Sequence, residues 1–195
     1  VLGTNNVDFR SRPHSAEEAS FLASRVAGRS LEESVTYADL EEASRVVLVD
    51  LEPEDECPMI FLRLRKAWRR HKVAITAVGT HLSNGSAKMG AELARCLPGQ
   101  EPQALAQLVA DGTIGEGTIV LVGERAGTRP GTLSAINDLD STVRVAWVPR
   151  RAGEIGAIEA GFAHGLNLHE EPSPLCTCHM ECCVAVHLMA LDGCT

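Results

Sequence analysis

The stretch "VVLVDLEPEDECP", residues 46–58, decides the fold. Its apolar run 46–49 begins a strand predicted over 46–51, and an uninterrupted apolar run is typical of a strand buried on both faces in a parallel sheet. Pro58 then begins a helix predicted over 58–71, with one apolar face formed by Ile60, Phe61, Leu64, Ala67 and Trp68. In nucleotide-binding α/β folds, a phosphate lies at this strand-to-helix turn. Here the turn carries Glu52, Glu54, Asp55 and Glu56 instead.

Outward from this stretch, short apolar runs alternate with helical patterns. Further strands are predicted over 73–78, 117–123 and 143–149, with a short extended segment within 91–99. Helices are predicted over 15–27, after a second cap at Thr36, from Pro102 to Ala110, and over 131–140. This alternation predicts a doubly wound α/β fold with a mainly parallel sheet.

The acidic turn has two interpretations. Carboxylates at a helix N-terminus interact favourably with the helix dipole, at about 0.3–1 kcal/mol each when exposed, so the four acids are interpreted as capping the helix that starts at Pro58. A metal site is the alternative, although no His lies among the acids. A phosphate site is disfavoured, because no glycine lies between Val46 and Pro58 and no G-x-G-x-x-G or P-loop motif occurs in the chain.

Composition narrows the classes of function. The chain has 195 residues and a net charge of −8, which disfavours a nucleic-acid-binding protein. No apolar run approaches the roughly 20 residues of a membrane span, so direct membrane insertion is not expected. The sequence shows no signal peptide pattern and no initiator Met, so we expect a piece of a longer chain.

The cysteines are concentrated in the last 20 residues. A candidate metal-ligand set there comprises Cys176, Cys178, His179, Cys182, Cys183 and His187. Three alternatives remain open for this tail: a zinc site, disulfides formed on oxidation, and an unstructured or artefactual end. His81 and Cys57 are isolated in sequence and are interpreted as structural residues.

Several motifs, in this order, resemble the large catalytic domain of molybdopterin oxidoreductases. They are "GTNNVDFRSRPHS" (3–15), the block that starts at residue 46, and "AELARCLPGQEPQALAQLVA" (91–110). Within that superfamily, "IVLVGERAGTRPGTLSA" (119–135) and "RVAWVPRRAGEIGAIEAG" (144–161) resemble the actinobacterial form of the G-subunit family of bacterial NADH-quinone oxidoreductase, respiratory complex I. The resemblance covers residues 1–161 and predicts an incomplete domain of this type, followed by a separate Cys-rich tail at 162–195.

The resemblance also implies what the segment does and lacks. The family's pterin-contacting positions correspond here to Asn5, Asn6, Asp50, Leu51, Glu52 and Gly99, and the changes there imply a scaffold that has lost its molybdenum cofactor. The 4Fe-4S and 2Fe-2S clusters of the parent subunit would be bound before residue 1. The implied partners are other subunits of complex I, and the implied location is peripheral, on the cytoplasmic side of the bacterial cell membrane.

Two rival functions stay open at this point. One is a free-standing oxidoreductase domain that binds molybdopterin or a nucleotide, and the other is a small metal-binding protein that acts through its Cys-rich tail.

Overall fold

The computed structural model describes residues 15–30 and 33–160. Its sheet contains five parallel strands in the order β3-β2-β1-β4-β5. The strands are β1 (Arg45–Val49), β2 (Ala74–Gly79), β3 (Glu92–Arg95), β4 (Thr118–Gly123) and β5 (Arg144–Val148). The strand order reverses direction at β1, so β1 and β4 flank the switch point of a doubly wound α/β fold. The predicted fold class is thereby confirmed.

The α-helices of the described residues alternate with the strands. They are α1 (Ala16–Phe21), α2 (Tyr37–Glu42), α3 (Pro53–Glu56), α4 (Pro58–His71), α5 (Asn84–Lys88), α6 (Glu101–Ala110), α7 (Thr132–Asn137) and α8 (Glu154–Glu159). A π-helical segment, Leu22–Val26, follows α1, and a 3-10 segment, Glu124–Thr128, follows β4.

Most of the predicted elements are confirmed, with three differences. The helix predicted over 131–140 is shorter, because Gly131 and Asp138 bound it on either side. The acidic turn contains a helical turn of its own, α3, and the segment 79–90 contains α5, whose N-terminus is capped by the Ser83 side chain. The capping box of Thr36 and Asp39 at α2 is present with both of its hydrogen bonds.

The connections place helices on both faces of the sheet. The crossover from β1 through α4 to β2 runs toward one edge, and the crossover from β3 through α6 to β4 runs back. Because such crossovers are right-handed, α4 and α6 lie on opposite faces. In agreement, α2 packs against α4, and α6 packs against α7.

The core is built on β1, which is buried on both faces. Val46, Val47, Leu48 and Val49 are each 1% exposed or less. From α4, the side chains of Ile60, Phe61, Leu64 and Ala67 pack into the same core. Trp68 was predicted to belong to this face, but it is 38% exposed and its indole ring contacts Gly90, where a Cβ would overlap the ring. Gly90 has a positive φ of 68°, so both its backbone and its contact require glycine.

By its internal contacts the chain divides into two units. Residues 29–151 form one unit, which contains the whole sheet. Among the described residues, the other unit contains α1 and α8. In that unit, Phe21, Leu22 and Ile158 are fully buried. The predicted division at residue 161 stays a prediction, since residues 161–195 lie outside the described residues.

Candidate functional site at the carboxyl edge of the sheet

The chain leaves β1 through a tight turn at Asp50. This residue has a φ of 48°, in the left-handed region that Asp tolerates better than most side chains. The Asp50 carbonyl lies against Gly123 at the end of β4, where a Cβ would overlap it. The same carbonyl accepts a hydrogen bond from Nε of Arg125 at 3.2 Å. At the switch point, the backbone of the β1 turn therefore packs directly against the end of β4.

The carboxylate of Glu56 lies at the centre of this edge. Its side chain is only 3% exposed, and its Oε1 is 2.8 Å from Nη2 of Arg125. The same oxygen accepts a hydrogen bond from the Glu52 N–H at 3.1 Å. Nε of Arg150 lies 3.6 Å from Oε2, an ion pair too long for a hydrogen bond. Glu56 thus joins the segments that follow β1, β4 and β5.

Two more buried carboxylates bind arginines nearby in the fold. Glu124, at the end of β4, accepts a hydrogen bond from Nη1 of Arg151 at 2.7 Å. Glu101, the first residue of α6, pairs with Arg129 at 3.7 Å. Both carboxylates have side chains 5% exposed, whereas the arginine side chains are 39–48% exposed. Each pair therefore places its acid inside the protein and its cation at the surface.

A further group of acids surrounds the turn on the α5 side. Glu54 pairs with Lys88 at the end of α5. Glu52 and Glu54 approach Gly85 so closely that a Cβ there would overlap their carboxylates. A phosphate at this turn would meet these carboxylates rather than bare backbone N–H groups, so the electrostatics oppose an anionic ligand.

Burial changes the acidity of two groups at the edge. The pKa of Asp50 is raised, first by burial and then by the neighbouring carboxylate of Glu101. The pKa of Cys96, the residue after β3, is raised by burial and by Glu101 and Asp50. A thiol with a raised pKa is a poor nucleophile, so Cys96 is a structural residue in this arrangement.

The interpretation that the four acids cap α4 is wrong. Glu54, Asp55 and Glu56 belong to the first turn of α3, and the residue that precedes α4, Cys57, makes no capping hydrogen bond with its side chain. The side chain of Glu56 is buried and paired with arginines, which is a stronger constraint than an exposed carboxylate near a helix dipole. Only Asp55 of the α3 acids has the exposure that the capping interpretation assumed.

The other predicted site residues are spread over the chain. Leu51 is 6% exposed and joins the core, and Glu52 precedes α3 at the carboxyl edge. Gly99 lies in the exposed turn between β3 and α6, with a φ of 84°. Asn5 and Asn6 lie outside the described residues, as do Cys176, Cys178, His179, Cys182, Cys183 and His187.

Sequence reasoning did not assign the cations of the edge to this site. They are Arg125, Arg129, Arg150 and Arg151. One signal could have found three of them: Arg125, Arg150 and Arg151 each lie within three residues of the carboxyl end of a parallel strand, so they meet the β1 turn at one edge of the sheet. Within residues 15–30 and 33–160, no group of three or more His, Cys, Asp or Glu side chains is arranged to hold a metal ion. No helix in the same residues is long and apolar enough to cross a membrane.

Comparison with known proteins identifies similar chains. No family model matches this chain. The G subunits of the NADH-quinone oxidoreductases of Mycobacterium bovis and Mycobacterium tuberculosis are each 49% identical to it over 200 residues, covering 99% of this chain and 24% of the relative. The corresponding G subunit of Streptomyces coelicolor is 45% identical over 187 residues, covering 83% of this chain and 22% of the relative.

These matches confirm the resemblance to actinobacterial G subunits that the sequence motifs predicted. The chain spans about a quarter of the length of the curated relatives it matches. The mycobacterial matches span 99% of the chain, so similarity to them is not confined to residues 1–161.

Proposed function

We propose that this chain is part of the G subunit of a bacterial NADH-quinone oxidoreductase, the family to which its curated relatives belong, and that it serves there as a scaffold without a redox centre. The identity of 45–49% to subunits named in this way supports the first part. The geometry of the carboxyl edge supports the second. The whole complex would pass electrons from NADH through FMN and iron–sulfur clusters to a quinone, coupled to proton translocation.

The single observation that carries the scaffold role is the closed state of the switch point. In doubly wound folds a ligand binds in the crevice outside the carboxyl ends of the strands, at this point of the sheet. Here Glu56 bridges Arg125 and Arg150 across that edge, and Asp50 packs its carbonyl against Gly123. The arginines that could hold a cofactor phosphate at this edge are paired with buried carboxylates of the chain itself.

The proposal assigns the iron–sulfur clusters and the scaffold to different parts of the parent protein. The 4Fe-4S and 2Fe-2S clusters, which need sets of Cys thiolates, would be bound by the part of the parent protein that precedes residue 1, as the family resemblance implies. Among the described residues, only Cys57 and Cys96 are cysteines. This segment would contribute a rigid sheet and contacts to other subunits of the complex, peripherally on the cytoplasmic side of the membrane.

A deletion in the parent protein tests the proposal. The segment that corresponds to residues 15–160 would be removed, and the cluster signals of the isolated parent protein would be recorded by electron paramagnetic resonance. We expect those signals to persist, whereas assembly of the complex and quinone-dependent NADH oxidation are lost. Loss of a cluster signal in the isolated parent protein would contradict a scaffold without redox centres.

Metal analysis of the 195-residue chain separates the rival functions. Molybdenum in a fixed ratio to protein would support a pterin-binding enzyme, and zinc in a fixed ratio would support a metal-binding protein that uses its Cys-rich tail. The scaffold proposal expects neither metal in a fixed ratio.

A further inference from the structure

The outer face of α4 carries cations that have no partner among residues 15–30 and 33–160. Arg65, Arg69, Arg70 and Lys72 are exposed, and within the described residues none of them has an ion pair or hydrogen bond. We call these four residues the basic face. They are concentrated within one helix and the residue after it, in a chain whose net charge is −8. Repulsion among them is relieved by no acid of the described structure.

Two neighbouring cations of the same helix, unlike those of the basic face, are paired with an acid of the chain. Arg63 and Lys66 both bind the carboxylate of Glu41 on α2. Arg63 also lies over the ring of Tyr37, with its guanidinium carbon 5.8 Å from the ring centre. These two cations stabilise packing within the chain. The basic face, which starts at Arg65 between these two cations and continues to Lys72, has no corresponding acid on α2 or elsewhere in the described residues.

Exposed apolar side chains lie on the same side of α4. Met59 is 47% exposed and Leu62 is 53% exposed, and they precede Arg65, the first residue of the basic face, by about one to two turns of the helix. With 3.6 residues per turn, Leu62, Arg65 and Arg69 follow one another along the outer side of the helix. Arginine, methionine and aromatic residues are enriched where proteins bind one another.

We propose that this face binds an acidic, carboxylate-bearing segment of a separate polypeptide. Three of its four cations are arginines, whose planar guanidinium groups bind carboxylates through two parallel hydrogen bonds. Met59 and Leu62 supply the apolar contact that orients such a segment along α4. An anionic membrane is the less favourable partner, because a chain with a net charge of −8 is repelled by it overall. This proposal does not depend on the function assigned above.

A defined peptide tests the proposal on the full 195-residue chain. The probe is a synthetic helical peptide with leucines along one side and glutamates on both flanks, labelled for fluorescence anisotropy. Its counterpart carries glutamine in place of every glutamate. We expect the glutamate peptide to bind at least tenfold more tightly than the glutamine peptide, with the difference decreasing as salt increases.

Two double variants locate the binding. In R69Q/R70Q the dissociation constant of the glutamate peptide should rise at least tenfold. The control R29Q/R95Q removes the same charge from exposed arginines outside the basic face and should leave the constant within twofold. M59S/L62S should weaken both peptides equally, and circular dichroism melting checks that each variant is folded.

Three outcomes would overturn the proposal: no difference between the two peptides, an equal loss in the control variant, or tighter binding of the chain to phosphatidylglycerol vesicles than to the glutamate peptide. The last result would identify the face as a lipid-binding surface.

Discussion

Glu56 and Glu41 each bind two cations, yet they lie in different environments. The side chain of Glu56 at the carboxyl edge of the sheet is 3% exposed and pairs with Arg125 and Arg150. The side chain of Glu41, which links α2 to α4, is 15% exposed and pairs with Arg63 and Lys66. Both pairs of cations reach their glutamate from distant positions in the sequence.

The difference shows how burial changes the contribution of a carboxylate–cation pair to stability. A carboxylate near the surface returns to water when its partners are removed, so its ion pairs contribute little. A buried carboxylate cannot do so, and losing a partner leaves a charge that the interior does not solvate. The carboxyl edge is therefore expected to lose more stability on substitution than the ion pairs that link α2 to α4.

The largest loss of stability is expected at Gly123, where the end of β4 contacts the β1 turn. Gly123→Ala places a methyl group against the carbonyl of Asp50. The carbonyl cannot move away without losing the hydrogen bond that it accepts from Arg125. We expect a loss of about 3 kcal/mol or more in the free energy of unfolding. Gly79→Ala at the end of β2 is the control, since nothing lies within 4 Å of its added methyl group. Chemical denaturation measures both, and equal losses would contradict a tight contact at Gly123.

Glu56→Gln should give the next largest effect. An amide in place of the buried carboxylate loses the charge-assisted contact with Arg125 and places a buried N–H₂ group among N–H donors, and we expect a loss of about 2–4 kcal/mol that high salt changes little.

Glu41→Gln is the matched variant for this comparison, because Glu41 also binds two cations. Its loss should be clearly smaller and should disappear in about 1 M salt, since exposed pairs are screened. Urea denaturation at low and high salt measures both variants. Equal, salt-sensitive losses would mean that Glu56 is solvated.

Two aspartates should show opposite pH dependence. The pKa of Asp50 is raised, so the folded state holds that proton more tightly, and stability falls as the pH rises above the ordinary value of 3.8. Asp50→Asn removes this fall and should be more stable than the wild type at neutral pH. Asn also tolerates the left-handed backbone at this position.

Asp39 provides the opposite case. Its pKa is lowered, first by Arg144 and then by Thr36, so its contribution to stability is present above the ordinary value of 3.8 and is lost as the pH falls toward the folded-state pKa. Asp39→Asn should therefore destabilise at neutral pH and approach the wild type in acid. Melting temperatures between about pH 3 and pH 7 test both variants, and the same sign for both would contradict the account.

The smallest effect is expected at Asp55. It is the exposed acid of α3, and it has no ion pair in the described structure. Asp55→Asn should change the free energy of unfolding by about 0.5 kcal/mol or less, since only its interaction with the helix dipole is lost. A loss as large as that of Glu56→Gln would show that α3 is held by all of its acids together.

The sequence was informative where the physical cause is local. Uninterrupted burial of residues 46–49, the proline at position 58 and the capping box at Thr36 each act within one element, and each was predicted correctly. The position of Asp50 and Glu52 at the carboxyl edge also followed from the strand that precedes them.

The partners at that edge could not be predicted in the same way. Arg125 and Arg150 lie 69 and 94 residues after Glu56, and only the packed sheet brings them together. The acids were therefore interpreted as a local helix cap, although Glu56 is part of a tertiary ion-pair cluster. The turn of α3 was also missed, because a four-residue helix leaves too short a periodic pattern to recognise.

Calorimetric titration of the 195-residue chain with GDP tests the central claim most directly, since GDP carries both a guanine base and a pyrophosphate. With carboxylates at the β1 turn and the arginines of the edge engaged by Glu56, Glu101 and Glu124, the account predicts no binding heat at millimolar nucleotide. A micromolar dissociation constant that Arg125→Gln or Arg150→Gln weakens would contradict it, because the carboxyl edge would then be an open anion site.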